Sequence, residues 1–297
     1  MGTPDYADEI LKALIEDDDI EVVAVYTQPD KPVGRKKVLT APPVKVTAQE
    51  HHIKVYQPIR LRDEDVVNEL LEIECDYIVV AAYGQILPKQ ILDHAPCINL
   101  HASILPQYRG ASPIQQTLLN GDKETGVTAM LMEEGLDTGA ILKIAKVSVP
   151  EDEMVVSLFD RLTQVAKELT LDVLKNFSTY TPEIQNEAHA THCKKISKAD
   201  GLVSFDDAQT LFNKYRAFTP WPGLFLESKL KLKKIALEDT QSENEAGKIL
   251  RIDDDSIVVG CKKGSLRIFR VQPESKKEMD ALAYINGKRL QVADYLS

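Results

Sequence analysis

Asn99 and His101 stand two residues apart in the run N-L-H. In an extended strand that spacing puts both side chains on one face. An asparagine amide can donate to an oxyanion developing on a carbonyl carbon. A histidine can act as general base or, when charged, as a second donor. Downstream, E-G-L-D-T-G at residues 134–139 sets Asp137 in a glycine-flanked loop. Its carboxylate can orient and charge a histidine, or accept a proton. The bland readings stay open on these residues alone. A histidine at a strand end often only packs, and D-T-G often marks only a turn.

Other schemes for chemistry lack their residues. There is no G-x-S-x-G elbow, no G-x-x-x-x-G-K-[ST] phosphate loop, and no G-x-G-x-x-G behind a strand. D-T-G is also the aspartic-protease triplet, but it occurs once and in α/β surroundings. His51-His52 and His189-x-x-His192 have neither carboxylate nor cysteine company, so no metal site is expected. Cys75, Cys97, Cys193 and Cys261 are widely spaced and form no C-x-x-C pair. They read as reduced, mostly buried thiols.

The elements that must position these residues are set by hydropathy. Residues 97–101 (C-I-N-L-H) read as a buried strand, and 77–82 and 20–27 as two more. Residues 54–56 are a short strand, and 127–132 and 141–147 two further ones. Helical spacing marks 8–16, 44–51, 63–73 and 154–177. Strands alternating with helices over the first 177 residues predict an α/β domain with an open, mostly parallel, Rossmann-like sheet. Asn99 and His101 fall where such sheets bind ligands, at the carboxyl end of a strand. A βαβ unit would start with a strand ahead of residue 1, where the chain opens on G-T-P and a helix. Residues 28–43, with four prolines, read as a long loop holding Lys31, Arg35, Lys36 and Lys37. Residues 178–197 read as a linker. From 198 to 297, one helix at 211–218 and turn-separated strands at 223–226, 230–237, 247–252, 256–260 and 265–271 predict a small β-barrel. Trp221, between two prolines, is expected to pack.

Composition sets the outer limits. The 297 residues are 43% hydrophobic and 28% charged, enough for two folded domains and against wholesale disorder. No window is long and apolar enough for a membrane helix, and the N-terminus does not read as a secretory signal. The net charge of −10 is uneven. Residues 190–297 hold 19 Lys+Arg against 15 Asp+Glu, and the preceding residues 17 against 31. A polyanionic partner would prefer the C-terminal part.

The run N-L-H-A-S-I-L-P-Q-Y-R-G-A-S-P-I-Q resembles the folate-dependent formyltransferases. So do E-T-G-V-T, E-G-L-D-T-G, the opening G-T-P-D-Y-A, T-Q-P-D-K-P-V-G-R-K-K, A-A-Y-G-Q-I-L-P and A-F-T-P-W-P-G. The match spans nearly the whole chain and is looser after residue 225. Ile104 stands where the family usually has leucine, and the family's sheet has a strand before G-T-P-D.

The resemblance implies that Asn99, His101 and Asp137 form the formyl-transfer site. It also implies that Ser103, Ile104, Leu105 and Pro106, with Tyr83, Gly84, Ile86 and Leu87, contact the folate. The one-carbon donor it implies is 10-formyltetrahydrofolate, a co-substrate, with no metal needed. The implied acceptor is the amine of a methionine esterified to initiator tRNA. Lys31, Arg35, Lys36 and Lys37 and the C-terminal barrel are then expected to meet tRNA phosphates. The enzyme is expected to be a monomer of the bacterial cytoplasm, without membrane contact. An amino-sugar nucleotide or glycinamide nucleotide as acceptor, water as acceptor in a folate hydrolase, and a non-catalytic RNA-binding protein stay as alternatives.

Overall fold

A computed structural model describes residues 1–34 and 36–296. The chain divides into two units: residues 1–113, 124–148 and 159–193, and residues 114–123, 149–158 and 194 onward.

In chain order the first part runs α1 (Asp5–Ile15), β1 (Val25–Tyr26), β2 (Lys31–Val33), β3 (Val38–Thr40), α2 (Pro43–Glu50), β4 (Val55–Tyr56), α3 (Glu64–Leu71), β5 (Ile78–Val80), α4 (Lys89–Leu92), β6 (Cys97–His101) and β7 (Arg109–Gly110). It continues with α5 (Pro113–Asn120), β8 (Glu124–Leu131), β9 (Ile141–Ser148), α6 (Val155–Lys175) and β10 (His192–Cys193). Helix α1 starts after Pro4, with Asp5 and Asp8 in its first turn and Lys12 in its last, charges that complement the helix dipole. Along α6, Leu162, Ala166, Leu169 and Val173 are buried at helical spacing.

Strand β6 is central. It pairs in parallel with β5 and antiparallel with β8, and β8 pairs antiparallel with β9. Cys97, Ile98 and Leu100 are buried, as expected for an interior strand. Strands β1 and β4 form a separate parallel pair. Met1 and Gly2 lie between that pair and β5. Gly2 N–H donates to the Tyr26 carbonyl, and Ala81 N–H donates to the Met1 carbonyl. The space between residues 19–26 and 73–79 is a cavity of about 800 Å³. Only two residues of the expected strand 20–27 are paired, Val25 and Tyr26, and residues 20–26 all line the cavity.

The 28–43 segment departs from the long loop expected of it. It contains a hairpin, with Lys31 opposite Thr40 and Val33 opposite Val38, and both strands are exposed. Pro32 is accommodated because an isolated two-stranded ribbon leaves an unpaired edge.

The second unit holds α7 (Ala208–Phe218), then β11 (Leu224–Phe225), β12 (Lys231–Glu243), β13 (Ile249–Ile252), β14 (Ile257–Gly260), β15 (Lys263–Gln272), β16 (Met279–Asp280) and α8 (Ala281–Lys288). Asp207 caps α7, its carboxylate accepting from Thr210 N–H. The strands form one antiparallel sheet in the order β11-β12-β15-β14-β13, with β16 also on β15. Register shifts interrupt the β12–β15 pairing at four places, each adding local bend and twist. The expected barrel is thus realised as a bulged sheet, with no β11–β13 pairing among the described residues. Helix α8 is an element that hydropathy does not predict. Its weak apolar periodicity hides it, and only Ala281 and Ile285 are buried. Trp221 also departs from expectation, being 59% exposed rather than packed.

Candidate active site

The site is built on the carboxyl end of β6. Asn99 pairs with Val80 on one side and Met130 on the other, and His101 pairs with Thr128. The two side chains share a face, as their spacing predicts. The β8–β9 connection (residues 132–140) begins beside Cys97, whose carbonyl accepts from Met132 N–H. It turns back over the sheet to bring Asp137 to the same place. The turn has a conformational cost: Asp137 takes a positive φ of 53°. Gly139 is required beside it, because a Cβ there would lie 1.8 Å from the Leu131 carbonyl oxygen.

The three predicted residues meet. Asn99 Nδ2 donates to Asp137 Oδ1 at 3.4 Å, and His101 Nδ1 lies 3.7 Å from Asp137 Oδ2. Gly110 N–H donates to Asp137 Oδ2 at 2.8 Å. His101 is 7% exposed, so these interactions are poorly screened. Its Nε2 is 2.9 Å from the Tyr108 carbonyl. A carbonyl only accepts, which assigns the Nε2 hydrogen and leaves Nδ1 as the nitrogen free to act. A neutral ring would turn its Nδ1 lone pair toward the Asp137 carboxylate.

The segment after β6 sets this geometry. Thr128 Oγ1 donates to the Ser103 carbonyl at 2.6 Å and accepts from Leu105 N–H at 3.2 Å. Ser103 Oγ donates to the Gln107 carbonyl. Tyr108, at φ 60°, then aims its carbonyl at His101, and Gly110 aims its N–H at Asp137. Gly110 has φ 116°, and a Cβ would meet the Cys193 carbonyl oxygen at 2.3 Å. Replacing Gly110 with alanine should therefore cost about 1–3 kcal/mol for the backbone conformation alone. A lowered Tm with a lowered transfer rate is the expected result in thermal melts and activity assays. Cys193 Sγ faces the Tyr108 carbonyl and Ser112 N–H, and burial pushes its thiol up. Burial likewise raises Cys75, and pushes Cys97 and Cys261 up to about 12.

The segments assigned to folate leave adjacent parallel strands, β5 and β6, at the same sheet edge. Within them Tyr83, Leu87, Ser103 and Leu105 are buried, whereas Ile86 is 84% exposed and Ile104 and Pro106 are half-buried. Gly84 has φ 79°, and Gln28 Nε2 donates to the Tyr83 carbonyl. Lys31, Lys36 and Lys37 are exposed on the hairpin. Arg35 lies outside the described residues. Among the described residues no three His, Cys, Asp or Glu side chains cluster as metal ligands, and no helix is long and apolar enough to cross a membrane.

Sequence reasoning misses four supports: the Tyr108 carbonyl, the Gly110 N–H, and the side chains of Arg109 and Gln185. The first three lie inside the run that carries the resemblance, but backbone groups have no side-chain signature. Gln185 lies in a stretch without periodicity. That stretch nonetheless folds against the site: β10 pairs with β7, and Glu183 bridges Ile141.

Comparison with known proteins places the chain in a family. Residues 1–174 match the formyl transferase family and residues 195–289 the formyl transferase C-terminal domain. The chain belongs to the formyl transferase family. A methionyl-tRNA formyltransferase of Sulfurimonas denitrificans is 67% identical over 297 residues, covering 100% of this chain and 98% of that protein. One from Nitratiruptor is 56% identical over 296 residues, covering 99% and 97%. Within the family, the chain therefore belongs with the methionyl-tRNA formyltransferases. A solved N-formyltransferase from Helicobacter canadensis, in complex with folinic acid and dTDP-3-aminofucose, shares the fold. It has a TM-score of 0.69 and 19% identity, covering 90% of this chain and 97% of that one.

Proposed function

We propose that this protein transfers the formyl group of 10-formyltetrahydrofolate to the free amine of methionyl-tRNA. The acceptor is the initiator tRNA, and the product is N-formylmethionyl-tRNA for translation initiation. The observation that carries the chemistry is the convergence of Asn99, His101 and Asp137 at the end of β6. The methionyl-tRNA formyltransferase relatives, which match over nearly the full length, support the choice of acceptor. The protein acts as a monomer in the bacterial cytoplasm.

In this reading the methionyl amine attacks the formyl carbon. A C–N bond forms, the carbonyl π pair moves to oxygen, and a tetrahedral oxyanion results. Asn99 Nδ2, and His101 through Nδ1–H, donate to that oxygen. Asp137 takes the proton that the attacking nitrogen must lose, directly or through water. The oxyanion then collapses, the bond from carbon to folate N10 breaks, and N10 picks up a proton. Tetrahydrofolate leaves. Ile86, Ile104 and Pro106 are the folate-segment side chains accessible to the co-substrate.

The basic hairpin contacts tRNA phosphates, together with the second unit. Replacing Lys36 and Lys37 with alanine should weaken tRNA use most at low salt, the loss shrinking as salt rises. It should also flatten the dependence of log affinity on log salt by about two contacts' worth. Folate affinity should not change. Filter binding across a salt series reads this directly, and an unchanged slope would remove the two lysines from the interface.

A further inference from the structure

We propose that Gln185 is a positioning residue for Asp137, acting through the Asp137 main chain; this rests on the proposed role of Asp137 in handling the proton. Gln185 is 5% exposed. Paired backbone bonds between Glu183 and Ile141, both 2.8 Å, fix its register. Two residues further along an antiparallel pairing, Gln185 comes opposite Gly139. Its Nε2 donates to the carbonyls of Asp137 and Gly139, both at 2.8 Å. Its Oε1 accepts from Arg109 Nε at 3.1 Å and from Nη2 at 2.8 Å. The reversed amide would set an oxygen against two carbonyls and an NH2 against a guanidinium. Only one orientation satisfies all four partners.

Arg109 is 1% exposed, and its other edge is paired with Glu187 at 2.6 and 3.0 Å. Its charge is therefore compensated without any substrate. The next residue, Gly110, donates its N–H to the Asp137 carboxylate. Asp137 is thus held at two points, the carboxylate by Gly110 and the carbonyl by Gln185, and both lead back to Arg109–Gly110. A non-glycine residue at φ 53° needs such holding, because its own backbone preference opposes the conformation. One strap from residue 183 to 193 therefore ties the two motifs of the site together.

The test uses the full chain and methionyl-tRNA, with single-turnover rates for Gln185→Glu, Gln185→Met and Asp137→Asn. Glutamate keeps an acceptor for Arg109, now anionic, but sets oxygen against the two carbonyls. Methionine keeps the volume and leaves the Arg109–Glu187 pair in place, which guards against failure of the glutamate variant to fold. Both should lower kcat about 10–100-fold through misplacement of Asp137, with KM for tRNA and Kd for folate held within about threefold. In the Asp137→Asn background, adding Gln185→Glu should change the rate less than about threefold, because the group it positions is already gone. Near wild-type rates in both Gln185 variants, or losses that multiply with Asp137→Asn, would overturn the positioning role. A wild-type rate for Asp137→Asn itself would instead overturn the underlying role of Asp137, and the positioning role with it.

Discussion

Replacing Asp137 with asparagine should lower the single-turnover formylation rate by about 10²–10⁴-fold, the range for loss of a positioned proton acceptor. The substitution keeps size and shape, so the effect isolates chemistry. Gly110 N–H still needs an acceptor, which fixes the amide oxygen at the Oδ2 place. The new NH2 then faces Asn99 Nδ2, a donor against a donor. It also removes the negative charge opposite His101 Nδ1. An amide cannot take the proton released by the attacking amine. Folate affinity should stay close to that of the unaltered protein, since Asp137 is committed to the protein's own groups. Quench-flow on methionyl-tRNA gives the number. A rate within about threefold of wild type would remove Asp137 from the chemistry.

Removing either oxyanion donor should cost about 10²–10³ in kcat. Asn99→Ala leaves the Asp137 Oδ1 position to water. His101→Ala opens a buried space and leaves the Tyr108 carbonyl without its ring donor, so Tm falls as well. In the proposed mechanism both donors act on charge that exists only in the transition state. The loss should therefore appear in kcat rather than in KM for either substrate. The double variant should lose less than the product of the singles, because the two groups serve one oxygen. A loss confined to KM would assign Asn99 and His101 to substrate binding instead.

Much of this site is legible in the amino-acid sequence. The N-L-H spacing fixes a shared face because strand geometry has period two. The carboxyl end of a parallel strand is a predictable ligand position. Asp137 is legible only as a carboxylate in a glycine-flanked loop. That the loop doubles back to reach Asn99 depends on the Leu131–Gly139 approach and on a positive φ, which hydropathy does not encode. The helices with strong apolar stripes, such as α6, are legible for the same reason that α8 is not. The hairpin at 31–40 is hidden because its strands bury nothing. Trp221 shows the opposite failure: a large ring suggests a core, yet a ring's size does not decide its exposure. The strap from 183 to 193 has no periodicity, because it is held by individual hydrogen bonds rather than by an apolar face.

The measurement that tests the proposed function most directly is formyl transfer by the purified 297-residue chain. Methionyl-tRNA and labelled 10-formyltetrahydrofolate are mixed, and the label on the aminoacyl-tRNA is followed in time. The expected result is label on the methionyl nitrogen and stoichiometric release of tetrahydrofolate, both lost in Asp137→Asn. Folded, folate-binding protein that leaves methionyl-tRNA unlabelled but formylates an amino-sugar nucleotide would contradict it.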